Sequence, residues 1–114
     1  MPKKREKRVE TSLDEEMKEV LPAEGEIFGV VEEVLGKARL RVRCQDGKTR
    51  VCRIRGKLRG RRHWMKPGDL VLVSIWDFQP DKGDVTVKYN RAQTEWLIKN
   101  KYITREWLEE EEIL

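Results

Sequence analysis

Residues 37–66 of this 114-residue chain hold thirteen Lys/Arg side chains against a single acid, Asp46, and nine of the thirteen are arginine. A guanidinium is planar, stays charged at any working pH and donates in parallel to two oxygens of one phosphate, a geometry lysine does not offer. A net +12 over thirty residues repels itself and calls for a polyanionic partner. Trp64 follows directly on Arg61, Arg62 and His63. Its indole suits stacking on an unpaired base while the basic groups hold the backbone, or equally packing in the core beneath its loop. His63, between arginine and tryptophan, reads as neutral and incidental, because a general base also needs an orienting partner.

Little else in the chain could do chemistry. Cys44 and Cys52 are the only cysteines and His63 the only histidine, so no paired CxxC metal site and no disulfide framework can be built. Both cysteines are expected to be small, reduced core residues. There is no glycine-rich phosphate loop and no Ser/His/Asp set, and Asp81 and Asp84 are explained by turn formation. The expectation is a protein that is not an enzyme and has no catalytic residue, metal or cofactor.

The charge is unevenly spread. Residues 1–23 carry six positive and six negative side chains, residues 24–90 fifteen and nine, and residues 91–114 four and six, for a net +4. No apolar run approaches the ~20 residues that span a bilayer, and the opening Met-Pro-Lys-Lys-Arg-Glu has no apolar signal core behind it. A cytoplasmic protein with no membrane partner is expected.

The elements that must position the basic segment follow from periodicity. Residues 1–22 read as a flexible basic tail, with Lys3, Lys4, Arg5, Lys7 and Arg8 at its start and a short helix from Ser12 to Leu21. Ser12 is its expected N-cap, Glu15 completes a capping box and Pro22 ends it. Residues 23–90 read as one domain of five β-runs: Glu26 to Leu35, Lys37 to Cys44, Arg50 to Arg55, Leu70 to Asp77, and Asp84 to Tyr89. In the second run Leu40, Val42 and Cys44 share one face and Arg39, Arg41 and Arg43 the other. Placing Cys52 and Ile54 on the face of Leu40 and Val42 requires an odd hairpin loop, such as three residues with Gly47 at positive φ. Arg50 then falls on the apolar parity and must lie at the rim, while Arg39, Arg41, Arg53 and Arg55 gather on one outward face. Five strands with a long connection between the third and fourth match the OB-fold, a mainly β Greek-key barrel that commonly binds oligonucleotides. Residues 91–114 read as a helical extension with an acidic end: Ala92 to Asn100, then a second helix capped by Thr104, with Trp96 and Trp107 directed to the core.

Ile54-Arg55-Gly56-Lys57-Leu58-Arg59, Trp64, Gly68-Asp69-Leu70-Val71-Leu72-Val73 and Phe78-Gln79-Pro80-Asp81-Lys82-Gly83-Asp84-Val85, ending in Lys88-Tyr89-Asn90, resemble translation initiation factor 1A in that order, over about residues 22–90. The resemblance implies an OB-fold factor that occupies the A site of the small ribosomal subunit, promotes mRNA and initiator-tRNA loading and leaves before elongation. It implies that Lys57, Arg59 and Trp64 contact rRNA near the decoding centre and that the basic N-terminal residues reach toward the mRNA and tRNA path. The full RNA-binding set expected is Arg39, Arg41, Arg43, Arg53, Arg55, Lys57, Arg59, Arg61, Arg62, His63, Trp64 and Lys66. Eukaryotic relatives carry a long acidic C-terminal tail that binds the GTPase initiation factor 5B. Here only Glu109 to Leu114 remains, a brevity that suggests the archaeal branch and leaves Ile113 and Leu114 as the candidate contact with that GTPase. A monomer is expected.

The competing reading is a general single-strand RNA chaperone of the cold-shock type, which shares the barrel but stacks bases on aromatics carried by its strands. The basic strands from Lys37 to Arg55 contain no aromatic residue, which disfavours it.

Overall fold

The alternation of apolar and basic residues between positions 39 and 54 becomes two antiparallel strands that turn one face inward and the other to solvent. In the computed structural model, which describes residues 12–59 and 65–110 apart from the side chains of Lys57 and Arg59, five strands close into a barrel. They are β1 (Glu26–Gly36), β2 (Arg39–Cys44), β3 (Thr49–Ile54), β4 (Leu70–Ile75) and β5 (Lys82–Lys88). The order around the barrel is β1-β2-β3-β5-β4, with β4 returning to β1 and only β3 and β5 parallel. This is the OB-fold.

The β2–β3 hairpin has the odd loop that its pattern demands. Leu40 faces Cys52 and Arg39 faces Arg53 across the pair, and the Cys44 amide donates to the Lys48 carbonyl at 2.8 Å. Three residues, Gln45 to Gly47, are left to turn the chain, with Gly47 at φ 88°. The β1–β2 turn departs from expectation. β2 begins at Arg39 rather than Lys37, because Lys37 and Ala38 form the turn itself at φ 49° and 63°, a left-handed conformation in which a side chain is strained.

Two apolar clusters share one wall. Inside the barrel, Val31, Leu40, Val42, Cys44, Cys52, Val71, Val73 and Val85 pack together. Both cysteines are free and buried, and burial pushes the Cys52 thiol up to about 12. Gly83 is needed at this wall: a Cβ there would stand 2.6 Å from Val73 Cγ1 and 2.9 Å from the Ser74 carbonyl oxygen. Outside the barrel, the opposite face of β1 and β4 supplies Phe28, Val30, Leu70 and Leu72 to a second cluster with Met17, Tyr89, Leu97 and Ile103.

Three helices cover that second cluster: α1 (residues 12–18), α2 (Arg91–Lys99) and α3 (Arg105–Glu109). Helix α2 starts one residue before the expected Ala92, since Asn90 caps it and Gln93 completes a capping box. Thr104 caps α3 by accepting from the Trp107 amide, as anticipated. Trp96 and Trp107 are partly buried against the cluster. Helix α1 is a larger departure. It is no part of a tail: Met17 is fully buried, Tyr89 donates its hydroxyl to the Val20 carbonyl, and Trp96 Nε1 donates to Asp14 Oδ1 at 2.6 Å. Ser12 stands inside the helix rather than capping it, and the helix ends before Pro22. So short a helix is marginal alone in water, and the barrel wall supplies the burial it lacks.

Candidate nucleic-acid interface

Adjacent strands alternate in register, so side chains pointing out of β2 and β3 form one surface. Arg39 stands directly opposite Arg53 on it. Like charges in that relation destabilise a strand pair unless an anion lies between them. Arg39 is exposed and makes no ion pair with any described residue. Arg53 and Arg55 both reach Asp84, at 3.6 and 3.3 Å, with side chains 59% and 58% exposed. One carboxylate cannot neutralise two guanidiniums, so this end of the face keeps a net positive charge and unused donors. Arg41 is exposed beside them and pairs with Glu33 of β1.

Two arginines of the same strands are used differently. Arg43 is only 11% exposed; its guanidinium lies over the Trp107 ring, 5.3 Å from the centroid, and donates to the Trp107 carbonyl at 2.9 Å and to Glu110. It fastens α3 to the barrel, so the structure does not bring it together with Arg39 and Arg53. Arg50 does lie at the rim, but buried. It donates twice to the Asp46 carboxylate, at 3.2 and 3.0 Å, and through Nε to the Pro80 carbonyl at 2.7 Å. The β2–β3 and β4–β5 turns are thereby tied together, and the hydrogen bonds from Arg50 hold the Asp46 carboxyl below its usual range.

Beyond β3 a 3-10 turn at Gly56–Arg59 opens the long connection, with Leu58 packed against the barrel interior. The side chains of Lys57 and Arg59, and Arg61, Arg62, His63 and Trp64 entirely, lie outside the described residues, as do Lys3, Lys4, Arg5, Lys7, Arg8, Ile113 and Leu114. At the far end of the connection Lys66 is exposed and binds Asp69 at 3.0 Å, and Asp69 also takes Lys88 at 3.5 Å.

Sequence reasoning missed one feature of this surface. Trp76 and Phe78 stack with centroids 5.6 Å apart and planes 23° from parallel, and Arg53 lies over the Trp76 ring at 5.0 Å. Phe78 is 80% exposed. The signal was present but ambiguous: Trp76 shares the parity of Ser74, yet also of Leu70 and Leu72, which the helices cover. The lack of aromatics between Lys37 and Arg55 therefore does not describe the whole face, since the β4–β5 turn brings two to its edge.

Among the described residues there is no His/Cys/Asp/Glu group fit to hold a metal ion, and no helix is long and apolar enough to cross a membrane. The arrangement offers phosphate-binding donors beside stacking surfaces.

A family model described as Translation initiation factor 1A / IF-1 matches residues 15–112. Curated proteins named Translation initiation factor 1A are similar over much of their length. The one from Methanopyrus kandleri is 59% identical over 85 residues, covering 74% of this chain and 76% of the relative. That from Pyrococcus abyssi is 50% identical and covers 95% and 93%, and that from Thermococcus kodakarensis is 44% identical and covers 98% and 96%.

Proposed function

This chain belongs to the translation initiation factor 1A / IF-1 family, in its archaeal branch, and from that membership we propose that it binds rRNA at the A site of the small ribosomal subunit and promotes loading of mRNA and initiator tRNA. The family is one of initiation factors rather than enzymes, and its members work with the small subunit. The observation that carries the finer reading is the Arg39–Arg53 pair, directly opposed on an outward face with no carboxylate for Arg39 among the described residues. An RNA phosphate supplies the missing anion. Arg55 and Arg41 extend the face, and Lys57, Arg59, Arg61, Arg62, His63, Trp64 and Lys66 follow it in sequence through the long connection. Arg43 is left out of the contact set because its guanidinium is consumed by α3. The protein acts as a monomer on cytoplasmic ribosomes, with Lys3, Lys4, Arg5, Lys7 and Arg8 directed to the mRNA and tRNA path.

Sedimentation with purified small subunits tests this reading. Wild type co-sediments, and Trp64→Ala or removal of residues 1–11 weakens the association. Equal affinity for subunits and for free unstructured RNA would instead establish a general chaperone. If about six phosphates are engaged, single-strand binding has a log–log salt slope near −4, and a flat salt response removes the electrostatic argument. Contact with the GTPase initiation factor 5B is assigned to Ile113 and Leu114. Because Glu110 is engaged with Arg43, the informative deletion is residues 111–114 rather than 109–114, and unchanged affinity for the GTPase rules this contact out.

A further inference from the structure

The outward face ends in a ladder of planar groups. Arg53 covers the Trp76 ring, Trp76 stacks on Phe78, and Phe78 turns 80% of its surface to solvent. A phenyl ring so exposed at the tip of a turn contributes little to the fold, and burying it would remove substantial apolar area from water.

The ladder is held in place. The Trp76 amide donates to the Lys82 carbonyl at 3.1 Å and the Lys82 amide to the Gln79 carbonyl at 2.9 Å, closing the β4–β5 turn. Arg50 anchors that turn from beneath through the Pro80 carbonyl at 2.7 Å. A preorganised ring loses little freedom on binding, which favours its use as a recognition surface.

We propose that Trp76 and Phe78 form a stacking platform for an unpaired base of single-stranded RNA, with Arg53 and Arg39 holding a neighbouring phosphate. The choice of occupant rests on charge. Arg53 belongs at once to the aromatic ladder and to the opposed arginine pair, so a ligand on Phe78 lies beside donors that want an anion. A nucleotide carries a flat apolar base and a phosphate joined by one sugar, whereas an apolar protein side chain would leave Arg39 without an anion among the described residues. Any of the four bases has a π-face, so the platform is indifferent to sequence. It is built from Trp76, Phe78, Arg53 and Arg39, none of which belongs to the long connection in sequence. The proposal rests on the RNA-binding reading above.

The test compares full-length wild type, Phe78→Ala, Phe78→Tyr and Arg39→Gln for binding to a labelled short oligouridylate and to a sugar–phosphate oligomer of equal length without bases. Phe78→Ala should bind the oligouridylate about tenfold more weakly at every salt concentration, with an unchanged salt slope, and should bind the abasic oligomer as wild type does. Phe78→Tyr should restore the affinity. Arg39→Gln should weaken binding to both ligands and flatten the slope. Phe78 is exposed, so thermal melting of Phe78→Ala should match wild type, and the loss cannot be assigned to misfolding. Equal oligouridylate affinity for Phe78→Ala and wild type, with Arg39→Gln still impaired, overturns the platform and leaves the RNA-binding reading standing. Equal losses on both ligands overturn it too, since they make Phe78 a support for the phosphate site. Failure of wild type to bind either ligand overturns the platform, while the subunit-binding reading is decided separately by sedimentation.

Discussion

β2 and β3 carry arginines at both ends of one hairpin, and the two ends use them for opposite purposes. At the turn end, Arg43 is largely covered and Arg50 buried by partners from this chain: Trp107 and Glu110 for one, Asp46 and Pro80 for the other. At the open end, Arg39 and Arg53 face each other across the strands and look outward. Residue type and strand are the same; what differs is whether the partners enclose the guanidinium, as they do Arg50, or leave it exposed, as Asp84 leaves Arg53. A count of positive charge therefore overstates a binding surface wherever some of that charge fastens the fold together.

The strongest way to break the comparison is at Arg50. Arg50→Met keeps the volume but leaves the Asp46 carboxylate without its charged partner and the Pro80 carbonyl without a donor, and should cost about 2 kcal/mol in urea unfolding. RNA affinity at a permissive temperature should hardly change. A variant that loses RNA affinity while keeping its stability would place Arg50 with the binding arginines and erase the distinction. Next is Arg43→Ala, which loses the contact with the Trp107 ring and two carbonyl acceptors and should destabilise by about 1 kcal/mol, again with little effect on RNA.

Acidity sharpens the same contrast. The Asp46 carboxyl lies below its ordinary range because Arg50 donates to it, so its contribution to stability is present at neutral pH and is lost as pH falls through the depressed value. The deficit of Arg50→Met should accordingly shrink on acidification, read from unfolding curves at neutral and strongly acidic pH. A deficit independent of pH would mean that the carboxylate is not what Arg50 serves. The smallest stability effect belongs to Arg39→Gln, expected within about 0.5 kcal/mol of wild type and toward greater stability, because it relieves the repulsion from Arg53. Its effect on RNA should be a salt slope flatter by less than one unit.

Local pattern carried the barrel. The strict alternation at Leu40, Val42 and Cys44, with the parity of Cys52 and Ile54, was enough to infer the three-residue hairpin loop and thus which arginines look outward. What local pattern could not carry were partners distant in sequence. Glu110 lies 67 residues from Arg43, and no periodicity in β2 announces that α3 will close over it. The same limit hid the role of α1, whose Met17 is buried only because β1 and β4 offer a second apolar face. Trp76 and Phe78 escaped for a related reason: they follow β4, a strand covered on both sides, whose apolar parity no longer tells outside from inside.

That doubly covered wall has a consequence for the size of the protein. A barrel with α1, α2 and α3 cut away would present Phe28, Val30, Leu70 and Leu72 as one greasy strip along two hydrogen-bonded neighbours. Such a strip invites self-association, so the helices are obligatory cladding rather than ornaments on a self-sufficient core. A functional minimal version of this chain would first need those four side chains exchanged for polar ones, and only then could the helices be shed.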